Sequence, residues 1–167
     1  MPKKRSQALP TSAERYVEFI KSVHLSGLGM DAASFMVDRE AFAVSFPPPQ
    51  KPSATISGRH KIVNRKPDSF VVIVEYTVSV IGNSGSEVVN ISCKYSALFS
   101  LEKEADQECI ERFTDNEVQL VFWPYLRHFV SDCTYRMAIF PLVLPLTSEI
   151  ATSKNQACGP HLPNEAE

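Results

Sequence analysis

Residues 70–101 read FVVIVEYTVSVIGNSGSEVVNISCKYSALFSL, and their alternation decides the fold. Phe70, Val72, Val74, Tyr76, Val78 and Val80 fall on one face, with Glu75, Thr77 and Ser79 on the other. The returning half repeats the pattern. Val89, Ile91, Cys93, Tyr95, Ala97, Phe99 and Leu101 oppose Asn90, Ser92, Lys94, Ser96 and Ser100. A period of two is that of a half-buried strand. Gly82-Asn83-Ser84-Gly85-Ser86 between the halves supplies residues that accept positive φ, so the stretch reads as a long antiparallel hairpin. Its continuous apolar face needs a second layer to cover it.

Residues 117–146, EVQLVFWPYLRHFVSDCTYRMAIFPLVLPL, supply that layer. Val118, Val121, Phe122, Tyr125, Leu126, Phe129, Val130, Cys133 and Met137 recur at the three- and four-residue steps of one helix face. Pro124 removes a backbone donor inside the stripe, and either kinks the helix or marks where its main part starts. Pro141 and Pro145 force the segment that follows into an extended course. The stripe is wider and more aromatic than packing on one sheet requires. One flank therefore suits the sheet, and the other suits a second subunit with Phe122, Tyr125 and Phe129 as anchors; a buried large aromatic contributes roughly 1.5–3 kcal/mol.

Upstream the signals are shorter. Thr11 to Ile20 carries a capping-box pattern on Thr11 or Ser12 and predicts a short helical turn. Alternation from Phe19 through Val23, Leu25, Leu28 and Met30, with a slip at Gly27, predicts a first strand with a bulge. Phe35 to Phe46 again reads as alternation, with Phe42, Val44 and Phe46 on one side, ending at Pro47-Pro48-Pro49. That predicts a crossover with aromatics near the surface. Ser53 to Lys66 is a strand made basic by Arg59, His60, Lys61, Arg65 and Lys66. Cations guarding a sheet edge explain this better than a nucleic-acid surface does. Lys66-Pro67-Asp68 signals a turn, and Gln107 to Phe113 a short helix. The expected organisation is a flexible tail over residues 1–15, one domain over 16–146, and a disordered tail over 147–167.

Composition bounds the function. Lys+Arg 17 against Asp+Glu 19 leaves a formal charge of −2, so no global field attracts nucleic acid. No apolar run is long enough to span a bilayer, and no h-region follows Lys3-Lys4-Arg5. Cys93, Cys109, Cys133 and Cys158 lack paired spacing, which argues against a disulfide framework or zinc site and for a reducing cytoplasm. Phosphate loops, HExxH, GxSxG and acidic metal clusters are missing from the sequence. His128 and Asp132 would be helix neighbours, yet no nucleophile accompanies them; Asp132 is better read as paired with Arg127. His24, His60 and His161 have no ligand spacing. The expectation is a chain without enzymatic activity, catalytic residues, metal or cofactor.

A strand ending YSALFSL, an acidic linker, then FWPYLRHFVSDCTYRMAIFPLVLPL resembles the SecB-like chaperone family. The matching positions are Trp123, Pro124, Tyr125, Arg136 and Pro141, and the resemblance covers about Tyr16 to Leu146. It implies an α+β fold: a four-stranded antiparallel sheet covered on one face by a long C-terminal amphipathic helix. It implies a homotetramer built as a dimer of dimers, and binding of unfolded or partly folded polypeptides without ATP. The client surface would include Phe42, Val44, Phe46, Trp123 and Leu126. Thr147 to Glu167 shows no apolar periodicity, so the further helix of the export chaperone is expected to be absent. Glu75 and Glu87 make only a thin acidic surface. Both departures favour a dedicated client, such as the antitoxin of a toxin–antitoxin–chaperone system. Delivery of preproteins to the secretion machinery and a non-chaperone oligomeric module are the alternatives.

Overall fold

The computed structural model describes residues 11–145. In chain order the elements are α1 (Ser12–Ser22), β1 (Val23–Val37), α2 (Arg39–Ser45), β2 (Ala54–Lys66), β3 (Ser69–Ile81), β4 (Glu87–Leu101), α3 (Gln107–Asn116) and α4 (Val118–Arg136). The four strands form one antiparallel sheet in the order β1-β4-β3-β2. The fold is α+β, with the helices gathered over one face of the sheet, as expected.

The hairpin forms as its alternation dictates. Phe70, Val72, Val74, Tyr76, Val78 and Val80 are buried, as are Val89, Ile91, Cys93, Tyr95, Ala97 and Phe99. At the turn, the Gly82 amide donates to the Ser86 carbonyl and Gly85 has φ +81°. Gly82 is required by close approach: a Cβ there would lie 2.7 Å from Ser45 Oγ and 2.8 Å from Val88 Cγ1.

The covering layer has two parts. Phe113 of α3 meets Phe70 and Phe99 edge-on, at ring centroids of 6.2 and 5.2 Å. α4 lays Val118, Phe122, Leu126, Val130, Cys133 and Met137 on the sheet, all buried. Helical hydrogen bonding continues on both sides of Pro124, which lies within α4; tertiary burial offsets the lost donor. α4 ends in a Schellman arrangement, with Ile139 N–H to the Thr134 carbonyl, Ala138 N–H to the Tyr135 carbonyl, and Ala138 at φ +53°.

Upstream, three expectations change. α1 is longer than a single turn and runs to Ser22, so Phe19 and Ile20 are helical rather than the start of a strand. A reciprocal capping box starts it: Thr11 Oγ1 accepts the Glu14 amide at 3.3 Å, and the Glu14 carboxylate accepts the Thr11 amide at 2.8 Å. Residues 12–15, assigned to a flexible tail, form its first turn. β1 is one continuous strand to Val37, with irregularities at Leu25/Gly27 and Met30/Ala32; the expected bulge at Gly27 is the first of them. The stretch read as alternating Phe42, Val44 and Phe46 is the short helix α2, started by the Asp38 carboxylate accepting the Ala41 amide at 3.0 Å. Helical spacing brings the Phe42 ring against that of Phe46, tilted by 51° with centroids 5.3 Å apart, and turns Val44 away. The remaining parts of the expected tails, with Lys3, Lys4, Arg5, Leu146, Cys158 and His161, lie outside the described residues.

Candidate functional site

The crossover from β1 to β2 carries α2 over the end of the sheet. Buried Ser45 fixes it there: the Asn83 amide donates to Ser45 Oγ at 3.0 Å, and Asn83 Nδ2 donates to the Ser45 carbonyl at 3.1 Å. Phe42 is consequently a core residue, Phe46 is half-buried, and Val44 stands 75% exposed. The chain then passes through Pro47–Gln50 to the start of β2.

On the other side of that start lies the segment after α4. Leu142 and Leu144 are buried while Val143 is 79% exposed and Phe140 half-exposed. Burial with a period of two is that of an extended chain, as the flanking prolines dictate. We call residues 140–145 the strap. Trp123 Nε1 donates to the Pro145 carbonyl at 2.9 Å, and Arg127 Nε to the Leu144 carbonyl at 3.1 Å. Between the strap and Lys51–Ala54 with Ile56 lies a groove of about 420 Å³, rimmed by Phe140 and Val143. Lys51 Nζ stands 5.8 Å from the centre of the Phe140 ring.

These placements redistribute the residues singled out from sequence. Trp123 and Leu126 are buried within the single chain, Trp123 beneath the strap, because helical spacing turns them inward. Phe122 is likewise core, against Tyr95 at 5.9 Å, and leaves nothing for a second subunit. Tyr125 is 45% exposed and Phe129 half-buried. Arg127 holds the strap; Asp132 pairs instead with Arg136, one turn on, at 2.8 Å. The sequence reading missed Phe140, Val143, Lys51 and Ile56. The proline-flanked PLVLP run was their available signal.

The second uncovered surface belongs to β1. Register places Leu25 opposite Phe99, Met30 opposite Tyr95 and Phe35 opposite Ile91, hence on the helix-covered face. Yet they are 44, 44 and 49% exposed. The Tyr95 hydroxyl donates to the Tyr125 carbonyl at 3.4 Å, which sets the Tyr125 turn of α4 beside Met30. Leu25, Met30, Phe35 and Tyr125 are thus apolar side chains of one side of the molecule without cover.

The core itself is chemically quiet. Burial pushes the Cys93 thiol up to about 12 and the Cys133 thiol up to about 11, and raises the Tyr76 and Tyr95 phenols. These thiols are protonated and poorly nucleophilic at neutral pH. Among the described residues no group of His, Cys, Asp or Glu is arranged to hold a metal ion, and no helix is long and apolar enough to cross a membrane.

Among solved structures, the chain is similar in fold to the SecB-like chaperone Rv1957 of Mycobacterium tuberculosis, in complex with a ChAD peptide from the HigA1 antitoxin. It matches at a TM-score of 0.62 and 20% identity, over 77% of this chain and 93% of that one. The fold is that of a SecB-like chaperone. A Streptococcus agalactiae protein of unknown function lies farther off, at a TM-score of 0.45 and 12% identity over 74% of this chain and 96% of that one. No protein-family model and no curated protein sequence matches the chain.

Proposed function

We propose that the protein is an ATP-independent, SecB-like holdase that binds unfolded or partly folded polypeptides in the cytoplasm. The observation that carries this is the groove between the crossover end and the strap, with Phe140, Val143 and Ile56 among its lining, on a fold shared with a chaperone solved with a peptide. Its walls combine exposed Phe140 and Val143 with main chain of the strap and of residues 51–53 that belongs to no ladder. Such a surface takes extended segments through side chains at alternate positions. The client surface is then Val44, Phe46, Phe140 and Val143; Phe42 supports it from below, and Trp123 and Leu126 serve as its foundation. Substoichiometric suppression of the aggregation of a heat-denatured model protein tests the reading. A non-chaperone oligomeric module leaves aggregation unchanged, and that outcome sinks it.

A dedicated client such as an antitoxin suits the chain better than general export. On the open sheet face Glu75 is held between Arg59 and Lys94, so its charge is spent internally. Recovery of one small partner by pull-down from the native host supports this choice; recovery of many preproteins reverses it. The assembly proposed is a homotetramer, with Leu25, Met30, Phe35, Tyr125 and Phe129 buried between copies. Light scattering at micromolar concentration tests it, and a monomer refutes it.

A further inference from the structure

The strap has the character of a bound peptide. It is extended, it buries Leu142 and Leu144 at alternate positions, and it leaves Val143 and Phe140 outside. Among the described residues, its main chain makes no hydrogen bond to other main chain. It is held instead by two side chains of α4, Trp123 and Arg127, which donate to consecutive carbonyls. Every peptide unit has a carbonyl, so these contacts read the course of a chain and not its sequence. Pro141 and Pro145 offer no amide that the bed would have to satisfy. A segment tied by two leucines and two hydrogen bonds, beside a groove already open, opens at far lower cost than the packed helix below it.

We propose that the bed of the strap on α4 is itself a polypeptide-binding surface, and that the strap is its resident occupant, displaced when a client binds. This rests on the holdase reading and specifies its client: an extended segment with branched aliphatic side chains two residues apart. The incoming side chains take the places of Leu142 and Leu144, and the incoming carbonyls take the Trp123 and Arg127 donors. Trp123 and Arg127 then position client as they now position the strap. The open groove is the point of entry, and the unliganded protein keeps its most apolar bed covered.

The experiment uses the full chain carrying Leu144→Cys and a permanently unfolded client, reduced and carboxymethylated α-lactalbumin, whose blocked thiols do not interfere. Maleimide modification at position 144 is followed by mass spectrometry, with and without saturating client. Displacement predicts labelling at least fivefold faster with client. Labelling unchanged or slowed by a client that demonstrably binds overturns the exchange while leaving the holdase reading intact. A client that does not bind the wild-type protein overturns both. As a second arm, Leu142→Ser with Leu144→Ser loosens the occupant and raises client affinity at least fivefold; equal or weaker binding by a variant with native circular dichroism counts against displacement. If that variant does not fold, the labelling result decides.

Discussion

The two edges of the sheet are built on opposite plans. β2 carries Arg59, His60, Lys61, Arg65 and Lys66 along its length, and it is tied down from outside. His60 reaches Asp115 of α3 at 3.1 Å, and Arg65 donates to the Ala105 carbonyl at 3.0 Å. β1 has only His24 and Asp31 as ionisable residues and exposes Leu25, Met30 and Phe35 on the face that should be core. Charges on an edge strand discourage further pairing, and an apolar edge without them invites it. The contrast sets a solvent edge against the edge proposed for assembly within one sheet.

The largest expected effect comes from giving β1 the character of β2. Met30→Lys with Phe35→Lys places two cations on the proposed assembly face, and light scattering at micromolar protein should show the proposed tetramer replaced by smaller species. Both side chains are half-exposed in the single chain, so each chain should keep its circular dichroism. Lys61→Ala on β2 should leave the assembly unchanged. A tetramer that survives the double lysine variant removes β1 from the interface.

Between the edges lies the hairpin, whose buried Cys93 thiol, together with that of Cys133 on α4, sets an alkaline limit. The thiolate forms more readily in the unfolded chain than at Cys93, whose value rises from 9.0 to about 12 in the fold. The stability it contributes is therefore complete below pH 9 and is lost as pH rises towards 12; Cys133 acts in the same direction over a narrower window. Urea midpoints should fall steadily above pH 9, and a midpoint that rises there contradicts the burial of these thiols.

Glycines sharpen the contrast on a smaller scale. A Cβ at Gly58 on β2 would sit 3.0 Å from two carbons of the Tyr76 ring, whereas one at Gly29 on β1 meets nothing within 4 Å. Gly58→Ala should cost about 1–3 kcal/mol by overpacking. Gly29→Ala should stabilise the isolated chain by ~0.5 kcal/mol through reduced unfolded-state entropy. Denaturant midpoints at fixed protein concentration distinguish them. An effect of similar size lies away from both edges: Ala138→Gly relieves the left-handed cap of α4 and should add ~0.5–1 kcal/mol by the same measurement.

How much of this could be read beforehand follows from period and length. β3, β4 and α4 carry a single period over many residues; the alternating apolar faces of β3 and β4 are buried, and of the α4 stripe Val118, Phe122, Leu126, Val130 and Cys133 are buried while Tyr125 is not. Residues 35–46 failed because Phe42, Val44 and Phe46 fit a period of two in a window too short to exclude the helix. The competing signal, Asp38 as N-cap with Glu40 in the first turn, was there to be weighed. Trp123, Leu126 and Phe122 illustrate a deeper limit. Apolar spacing shows that a helix face is apolar; which of its residues remain outside depends on the strap and on the uncovered width of β1. No pattern within the helix itself encodes either.

The sheet order also has a consequence for the time course of folding. β3 and β4 are joined by a tight turn, and loop closure there is entropically cheap. β1 joins β4 across long spans, 74 residues at the Ser26–Ser100 side-chain hydrogen bond and 58 at the paired Ser34–Ser92. The strand synthesised first is therefore the last to be zipped into the sheet. Until their partners Phe99, Tyr95 and Ile91 on β4 have left the ribosome, Leu25, Met30 and Phe35 have no strand to pair with. In a nascent chain, β1 is the segment that itself needs protection.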